Sequence, residues 1–453
     1  MPRHAFLRAR VAAVLGAALW LLPMQRADAQ LGSYNPDPGP RGSYAIKGAR
    51  IVPVTGAEIA SGTVVIGADG KIAAFGANTT IPAGANVIDG KGLTVYPGMM
   101  DAGSSIGLSE IGQGAAATVD VSETGSFNPN AQAFYGINPH SAHIGVTRVV
   151  GITHVLSRPT GGILSGQAAI VNLAGSTAPE MTVVQKAAMV IELPRSGFGG
   201  RGGGFAPATG GANTQEVNRT RQRQLDSLRA ILKDADAYGT VNDAYAKDKT
   251  LPRPKQDVVL ASLVPTVRGQ QPVLMIADRA TDIRESVAFA EEMKLKPIIV
   301  GGRDAWQIAA FLKQHDVAVL LTGVMDLPSR EDDPYDVNYS APSVLAKAGV
   351  RFAITSGDAG AEARNLPYTA GMAAAFGLTK DDALKSVTLW PAQILGVSDK
   401  LGSIDTGKLA NLVVTDGDLL EAKTNTKFLF IDGRPVALDT KHSQLFDQFK
   451  NRK

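Results

Sequence analysis

Hydrophobic residues occur along this chain in two alternating patterns, and their order predicts an α/β fold. Short, nearly continuous apolar runs are typical of buried strands. They lie at residues 94–100, 153–157, 187–193, 272–276, 297–300, 317–321 and 352–355, and residues 168–172 are either another strand or part of an insertion. Apolar spacing of three and four residues, as at 281–293 and 305–314, predicts helices between them. This alternation predicts a parallel, TIM-like α/β barrel over residues 93–399.

A smaller strand-rich domain is predicted from the two ends of the chain. Residues 44–92 contain apolar runs on both sides of Asp69-Gly70, a dipeptide typical of tight hairpin turns. Residues 400–440 contain a similar hairpin pattern around Asp432-Gly433. Half-domains at both ends predict one composite β-sandwich with the barrel inserted between its two parts.

The first residues are typical of a secretory signal peptide rather than of a folded domain. Arg3, Arg8 and Arg10 precede an apolar segment, 11–22, that is too short to span a bilayer. A small-residue cleavage site follows at 27–29, so we expect residues 1–29 to be removed and the protein to be exported, to the periplasm or outside the cell. The Pro/Gly-rich residues 30–43 predict a flexible leader.

Composition and charge exclude several classes of function. Residues 1–29 carry the same net charge of +3 as the whole chain, which leaves the remaining part near neutral and gives no reason to expect nucleic-acid or anionic-membrane binding. The chain has no cysteine, which excludes disulfides, a thiolate nucleophile and a cysteine-based zinc site.

Two stretches interrupt the barrel pattern. A Gly-rich insertion near 195–214 is either a simple low-complexity insertion or a mobile active-site lid. Residues 215–250 mix arginines with aspartates and predict a helix with a solvated face.

Three motifs resemble the amidohydrolase superfamily, and in particular imidazolonepropionase-like exported members. Residues 96–101 match the Pro-Gly-x-x-Asp frame of the family's first barrel strand. Residues 402–414 resemble its Gly-Ser-x-x-x-Gly-Lys-x-Ala-Asp-Leu-Val signature, with Asn411 in place of the usual Asp, and residues 151–167 resemble a segment after the second strand. The resemblance implies a (β/α)8 barrel, hydrolysis of C–N bonds in non-peptide or dipeptide substrates, and zinc or another divalent metal.

The same resemblance locates four positions where the family places metal-binding histidines. They are occupied here by residues that supply no imidazole: Gly103, Ser105, Ile276 and Gly301. Neutral imidazole and carboxylate are the ligands that suit such metals. We therefore expect degenerate metal-ligand motifs, and no metal cofactor.

Two carboxylates remain candidates for catalysis. Asp358 follows the last predicted barrel strand and resembles the family's catalytic Asp, although an alignment shifted by one would place Gly357 there. Glu192 ends the fourth strand, where the family often places a metal-bridging residue. They would hold Mg²⁺ or Ca²⁺ only loosely, or perform metal-free acid/base chemistry. A helix cap or a salt bridge is the alternative role for each.

Candidate substrate-binding groups follow the second barrel strand. Arg158 and the backbone N–H groups of Gly161 and Gly162 would hold an anionic or carbonyl group, or they form a tight turn with a structural arginine. His154, inside the strand, is expected to be a hydrogen-bonded core residue. His140 and His143 are spaced like ligands on a helix, or lie in a solvated loop.

Two functional hypotheses follow. The first is a pseudoenzyme of the amidohydrolase fold that binds a small molecule, as a homo-oligomer or as a heteromer with a metal-retaining paralogue. The second is an active C–N bond hydrolase with an atypical site made of Asp358, Glu192 and Arg158. Neither requires nucleic acid or a membrane span.

Overall fold

The protein is represented by a computed structural model, which describes residues 35, 38–111, 118–194, 214–358 and 360–452. The predicted signal peptide 1–29, half of the leader 30–43 and nearly all of the Gly-rich insertion near 195–214 lie outside the described residues. Among the described helices, none combines the length and the apolar character needed to cross a membrane.

The described residues form two sheets of eight strands each. In chain order the strands are β1 (Tyr44–Ile51), β2 (Ile59–Ile66), β3 (Ile72–Gly76), β4 (Asn86–Asp89), β5 (Thr94–Pro97), β6 (Met99–Ser104), β7 (Ile152–Ser157), β8 (Leu164–Asn172), β9 (Thr182–Ile191), β10 (Val273–Ala277), β11 (Pro297–Gly301), β12 (Ala318–Leu321), β13 (Phe352–Ile354), β14 (Leu412–Thr415), β15 (Thr426–Ile431) and β16 (Arg434–Pro435).

Helices cover the outside of the barrel and connect most of its later strands. They are α1 (Ala133–Gly136), α2 (Ala142–Arg148), α3 (Ala178–Met181), α4 (Thr214–Lys247), α5 (Val258–Val267), α6 (Ala280–Glu292), α7 (Ala309–Gln314), α8 (Val337–Lys347), α9 (Leu366–Ala375), α10 (Lys380–Ser386), α11 (Leu389–Ile394) and α12 (Lys441–Phe449). Short 3-10 helices occupy Ala305–Ile308 and Gly360–Asn365.

The barrel sheet runs in sequence order from β6 to β13 and confirms the predicted TIM-like architecture. One strand departs from the expected parallel arrangement, because β8 pairs antiparallel with both β7 and β9. The link from β7 to β8 spans residues 158–163 only. A parallel pair needs a crossover of a dozen or more residues, so this short link permits only a hairpin.

The second sheet joins the two ends of the chain. Its order is β16-β15-β14-β5-β1-β2-β3, and β4 pairs with β1. The predicted strand 94–100 is therefore two strands that meet at Gly98: β5 belongs to this outer sheet and β6 opens the barrel. A Cβ on Gly98 would lie 2.1 Å from the Thr153 hydroxyl oxygen, so only glycine fits at the point where the chain changes sheets.

Side chains close the barrel between its first and last strands. The buried carboxylate of Asp101 on β6 accepts hydrogen bonds from the hydroxyls of Thr355 and Ser356, which follow β13. It also accepts one from the Ser356 backbone N–H at 3.1 Å. An apolar cluster formed by the barrel strands includes Met100 and Ile276. Asp101 thus fixes the segment after β13 against β6.

Candidate functional site

A cavity of about 1000 Å³ lies where the barrel strands end. Segments that follow β6, β7, β9, β12 and β13 contribute its lining, so it occupies the C-terminal face on which barrel enzymes carry their active sites. Its lining is rich in hydroxyls and carboxylates: Ser105, Ser109, Thr160, Thr322, Thr355, Ser356, Thr369, Glu192, Asp326, Asp358 and Glu362. Two of the predicted catalytic residues, Asp358 and Glu192, therefore face one cavity.

Asp358 is held by two residues that the sequence had assigned to other roles. Arg158, whose side chain is 1% exposed, donates a hydrogen bond to the Asp358 carboxylate and forms an ion pair with it. The hydroxyl of Ser105 donates to the Asp358 backbone oxygen at 2.6 Å. Arg158 is not among the residues that line the cavity, and its guanidinium pairs with Asp358, which does line it. Its role in substrate binding stays a prediction.

Two residues that line the cavity, Thr355 and Ser356, donate hydrogen bonds to the buried carboxylate of Asp101. Burial raises the pKa of the Asp101 carboxyl above its ordinary value, while the hydrogen bonds from Ser356 and Thr355 act in the opposite direction. Because Thr355 and Ser356 also line the cavity, Asp101 positions the lining without facing it.

Glu192 and the Gly-rich turn are joined through the backbone. The N–H of Glu192 donates to the carbonyl of Ile163 at 3.0 Å, and this brings the end of β9 next to the turn after β7. Gly161 lines the cavity, whereas Gly162 lies against the backbone of residues 125–126. Both glycines have positive φ, as a tight turn requires.

The four expected metal-ligand positions lie at or near the C-terminal ends of barrel strands. Gly103 and Ser105 lie at the end of β6, Ile276 lies on β10, and Gly301 is the last residue of β11. Ser105 alone of the four lines the cavity.

A histidine side chain would not fit at two of these positions without movement of neighbouring groups. Ile276 is packed in the apolar barrel interior. Gly301 has φ +109°, and a Cβ there would lie 2.4 Å from Oδ1 of Asp278. An imidazole at Gly301 would require a strained backbone and movement of Asp278.

The donor set does not fit the family's divalent metal. Over residues 38–111, 118–194, 214–358 and 360–452, no group of three or more His, Asp or Glu side chains is arranged to hold a metal ion. The histidines near the cavity do not alter this: the Nε2 of His143 lies 3.0 Å from the Glu110 backbone oxygen, and His154 is fully buried within β7.

Two carboxylates in the lining, Asp326 and Glu362, were missed by reasoning from the sequence. Asp326 follows β12 and pairs with Arg303 at 2.8 Å, and Glu362 lies in the 3-10 helix after β13. Both lie a few residues beyond a barrel strand, so scanning beyond each strand end for carboxylates would have found them. Among the residues that the structure describes, the cavity lining includes no lysine, arginine or histidine.

Comparison with known proteins agrees with this geometry. A solved amidohydrolase from Thermotoga maritima MSB8 is 25% identical, covers 87% of this chain and 99% of its own, and superposes with a TM-score of 0.75. The family model described as "Amidohydrolase family" matches residues 307–436. The chain therefore matches the amidohydrolase family over its C-terminal part and shares the fold of a solved amidohydrolase. The matched range includes Asp358 and none of the four positions where metal ligands were expected.

Other solved structures share the fold at lower identity. A prolidase complexed with N-methylphosphonate-L-proline is 17% identical with a TM-score of 0.52, and covers 87% of this chain and 99% of its own. A putative prolidase from Bifidobacterium longum is 16% identical with a TM-score of 0.52, and covers 90% of this chain and 99% of its own. No curated protein matches the sequence.

Proposed function

We propose that this protein is a ligand-binding member of the amidohydrolase superfamily that does not carry out the family's metal-dependent hydrolysis. One observation carries the proposal: the positions expected to hold metal-binding imidazoles are Gly103, Ser105, Ile276 and Gly301, and the fold uses them for other purposes. Ile276 fills the core, and Ser105 fastens the backbone at Asp358. The cavity above them remains large and polar.

The retained cavity supports binding rather than a purely structural role. A volume of about 1000 Å³ is in the range of small-molecule sites. Its carboxylates and hydroxyls offer fixed polar contacts. The Arg158–Asp358 ion pair holds the segment after β13 in place and requires no metal ion.

Metal analysis together with activity assays tests this proposal. Purified protein, dialysed and then incubated with zinc, is expected to retain substoichiometric metal by elemental analysis. It is expected to hydrolyse neither dipeptides nor lactams above background, with or without chelator. Stoichiometric zinc together with chelator-sensitive turnover would contradict the proposal.

Binding is tested with the same dipeptides and lactams as probes. A probe that raises the thermal unfolding midpoint of the wild type should lose this effect in Thr369→Trp, which fills the cavity. Thr281→Trp, on the exposed face of α6, serves as the matched control and should retain it. Equal shifts in both variants would place binding elsewhere.

A second candidate function is C–N bond hydrolysis by Asp358 and Glu192 without the family's metal. It is favoured by the presence of both carboxylates in the lining of one cavity. Under this alternative, Asp358→Asn and Glu192→Gln abolish turnover of a dipeptide or lactam, whereas Glu362→Gln, at another lining carboxylate, retains it. Turnover in Asp358→Asn equal to wild type would exclude this mechanism.

We also propose that the protein acts after export, in the periplasm or outside the cell, and as a homo-oligomer or together with a metal-retaining paralogue. The basic and apolar pattern of residues 1–29 supports export. N-terminal sequencing of protein from the extracytoplasmic fraction should begin at Gln30, and an intact Met1 there would contradict cleavage.

A further inference from the structure

The C-terminal helix α12 leaves an apolar face without cover from the rest of the described chain. None of its nine residues is buried. Leu445, Phe446 and Phe449 lie on one face by their spacing and are 42%, 67% and 41% exposed. Large apolar side chains grouped in this way mark an interaction surface more often than singly exposed ones do.

A capping box stabilises the start of this exposed helix. The hydroxyl of Thr440 accepts a hydrogen bond from the Ser443 backbone N–H at 3.1 Å, and the Ser443 hydroxyl accepts one from the Thr440 N–H at 2.9 Å. This capping box satisfies two backbone donors at the helix start. The apolar face is therefore presented on an ordered element.

Basic side chains lie directly beside the two aromatic rings. The ammonium of Lys450 lies 5.9 Å from the centre of the Phe446 ring, and the guanidinium of Arg452 lies 4.8 Å from that of Phe449. Residues 441–453 contain four lysines or arginines and one aspartate, a net charge of +3. The remaining residues of the chain are close to neutral in total, so the net charge of the whole chain does not reveal that its basic residues are concentrated here.

We propose that α12 docks this protein onto an anionic phospholipid surface. A phenylalanine and leucine face bordered by lysine and arginine is the composition of helices that lie in a membrane interface. Apolar groups enter the boundary of the acyl chains while the long cationic side chains remain among the headgroups. The basic flank complements anionic headgroups, which attract each nearby cation.

The exposed area favours a lipid surface over a second copy of the chain. An aromatic side chain has a surface of about 150–250 Å². With 67% of Phe446 and 41% of Phe449 exposed, the two rings together expose roughly 200 Å². A stable protein–protein interface buries about 800 Å² per partner. A membrane surface requires no such complementary area, because each apolar group that is buried contributes separately.

Vesicle cosedimentation of the full chain tests this proposal. Wild-type protein is expected to sediment with vesicles of phosphatidylglycerol and phosphatidylcholine, and weakly with pure phosphatidylcholine. Substituting both Phe446→Ser and Phe449→Ser should weaken binding at least about ten-fold. Substituting both Lys450→Gln and Arg452→Gln should weaken it by about five-fold per charge and reduce its salt dependence.

A matched control separates this face from general surface hydrophobicity. Phe428→Ser removes a ring that is 38% exposed on β15 and should bind as the wild type does. All variants carry the same N-terminus, and their thermal midpoints should match the wild type. Equal binding to both kinds of vesicle, or wild-type binding by the phenylalanine variant, would overturn the proposal. So would a wild-type dimer, seen by sedimentation velocity, that the phenylalanine variant loses.

Discussion

Ser105 occupies a position where a metal ligand was expected, and its side chain makes a structural contact instead. Its hydroxyl bonds to the Asp358 carbonyl and so joins the segments after the first and last barrel strands. Gly301 has a backbone conformation that disfavours any side chain. A histidine at Ser105 would remove a hydrogen bond, and a histidine at Gly301 would strain the backbone. Building a metal centre here would therefore require more than one substitution.

His154 is the most strongly perturbed histidine among the described residues, and it links the barrel to the outer sheet. Its Nδ1 lies 2.7 Å from the Thr153 hydroxyl and 3.4 Å from the Asn411 amide nitrogen. Asn411 also donates to Asn172 at 2.8 Å and accepts from the backbone N–H of Asp432. Burial lowers the pKa of His154 to about 3.

This burial predicts a loss of stability in acid. Between the ordinary pKa of about 6.5 and the folded value of about 3, the unfolded chain binds a proton that the folded chain does not. The free energy of unfolding should therefore fall on acidification by about 1.4 kcal/mol per pH unit from this group. In urea titrations, His154→Gln should flatten that slope and the exposed-site control His442→Gln should not. A slope unchanged in His154→Gln would contradict the assignment.

At the scale of elements, the described first and last barrel strands are connected by side-chain contacts of Asp101 and Ser105 rather than by a continuous ladder of backbone hydrogen bonds. The residues after β13 reach β6 through Asp101, which accepts from Thr355 and Ser356. Because the same residues line the cavity, strand closure and site geometry depend on the same contacts.

Removing that carboxylate should weaken the fold measurably. Asp101→Asn keeps the volume but replaces an acceptor-only group, and we expect a loss of roughly 2–3 kcal/mol, the range for hydrogen bonds to charged groups. Thr355→Val removes a single hydroxyl donor and should cost about 1 kcal/mol. Chemical denaturation measures both values. Equal unfolding midpoints for Asp101→Asn and the wild type would show that closure does not depend on this residue.

At the scale of the whole molecule, the outer sheet combines strands from the N-terminal and C-terminal parts of the chain. β14 lies between β5 and β15, with Val413 opposite Tyr96, so the strands from the two ends of the sequence meet where β14 pairs with β5. Gly98 then passes the chain directly into the barrel. We infer that barrel and outer sheet depend on each other for stability.

Two truncations test this dependence. A chain that ends at residue 397 lacks β14 to β16 and should show no cooperative thermal unfolding by circular dichroism, because β5 loses one of its two partner strands. A chain that ends at residue 440 lacks only the exposed α12 and should unfold at nearly the wild-type midpoint. A cooperative transition in the shorter chain would show that the barrel is stable alone.

The sequence by itself determined the α/β barrel, the pairing of the two chain ends in a second sheet, and the absence of imidazole from four strand positions. These follow from local patterns, because apolar periodicity and motif spacing are properties of neighbouring residues. It also located Asp358 and Glu192 at strand ends. Only the tertiary structure decided that β8 runs antiparallel, that Arg158 pairs with Asp358, and that Asp326 and Glu362 complete the cavity. The contact between Arg158 and Asp358 and the shared cavity lining join residues far apart in the chain, and local patterns do not show which strand ends will lie together. The direction of β8 depends on where β7 ends and β8 begins, and element boundaries are the part of a fold that apolar patterns predict least well.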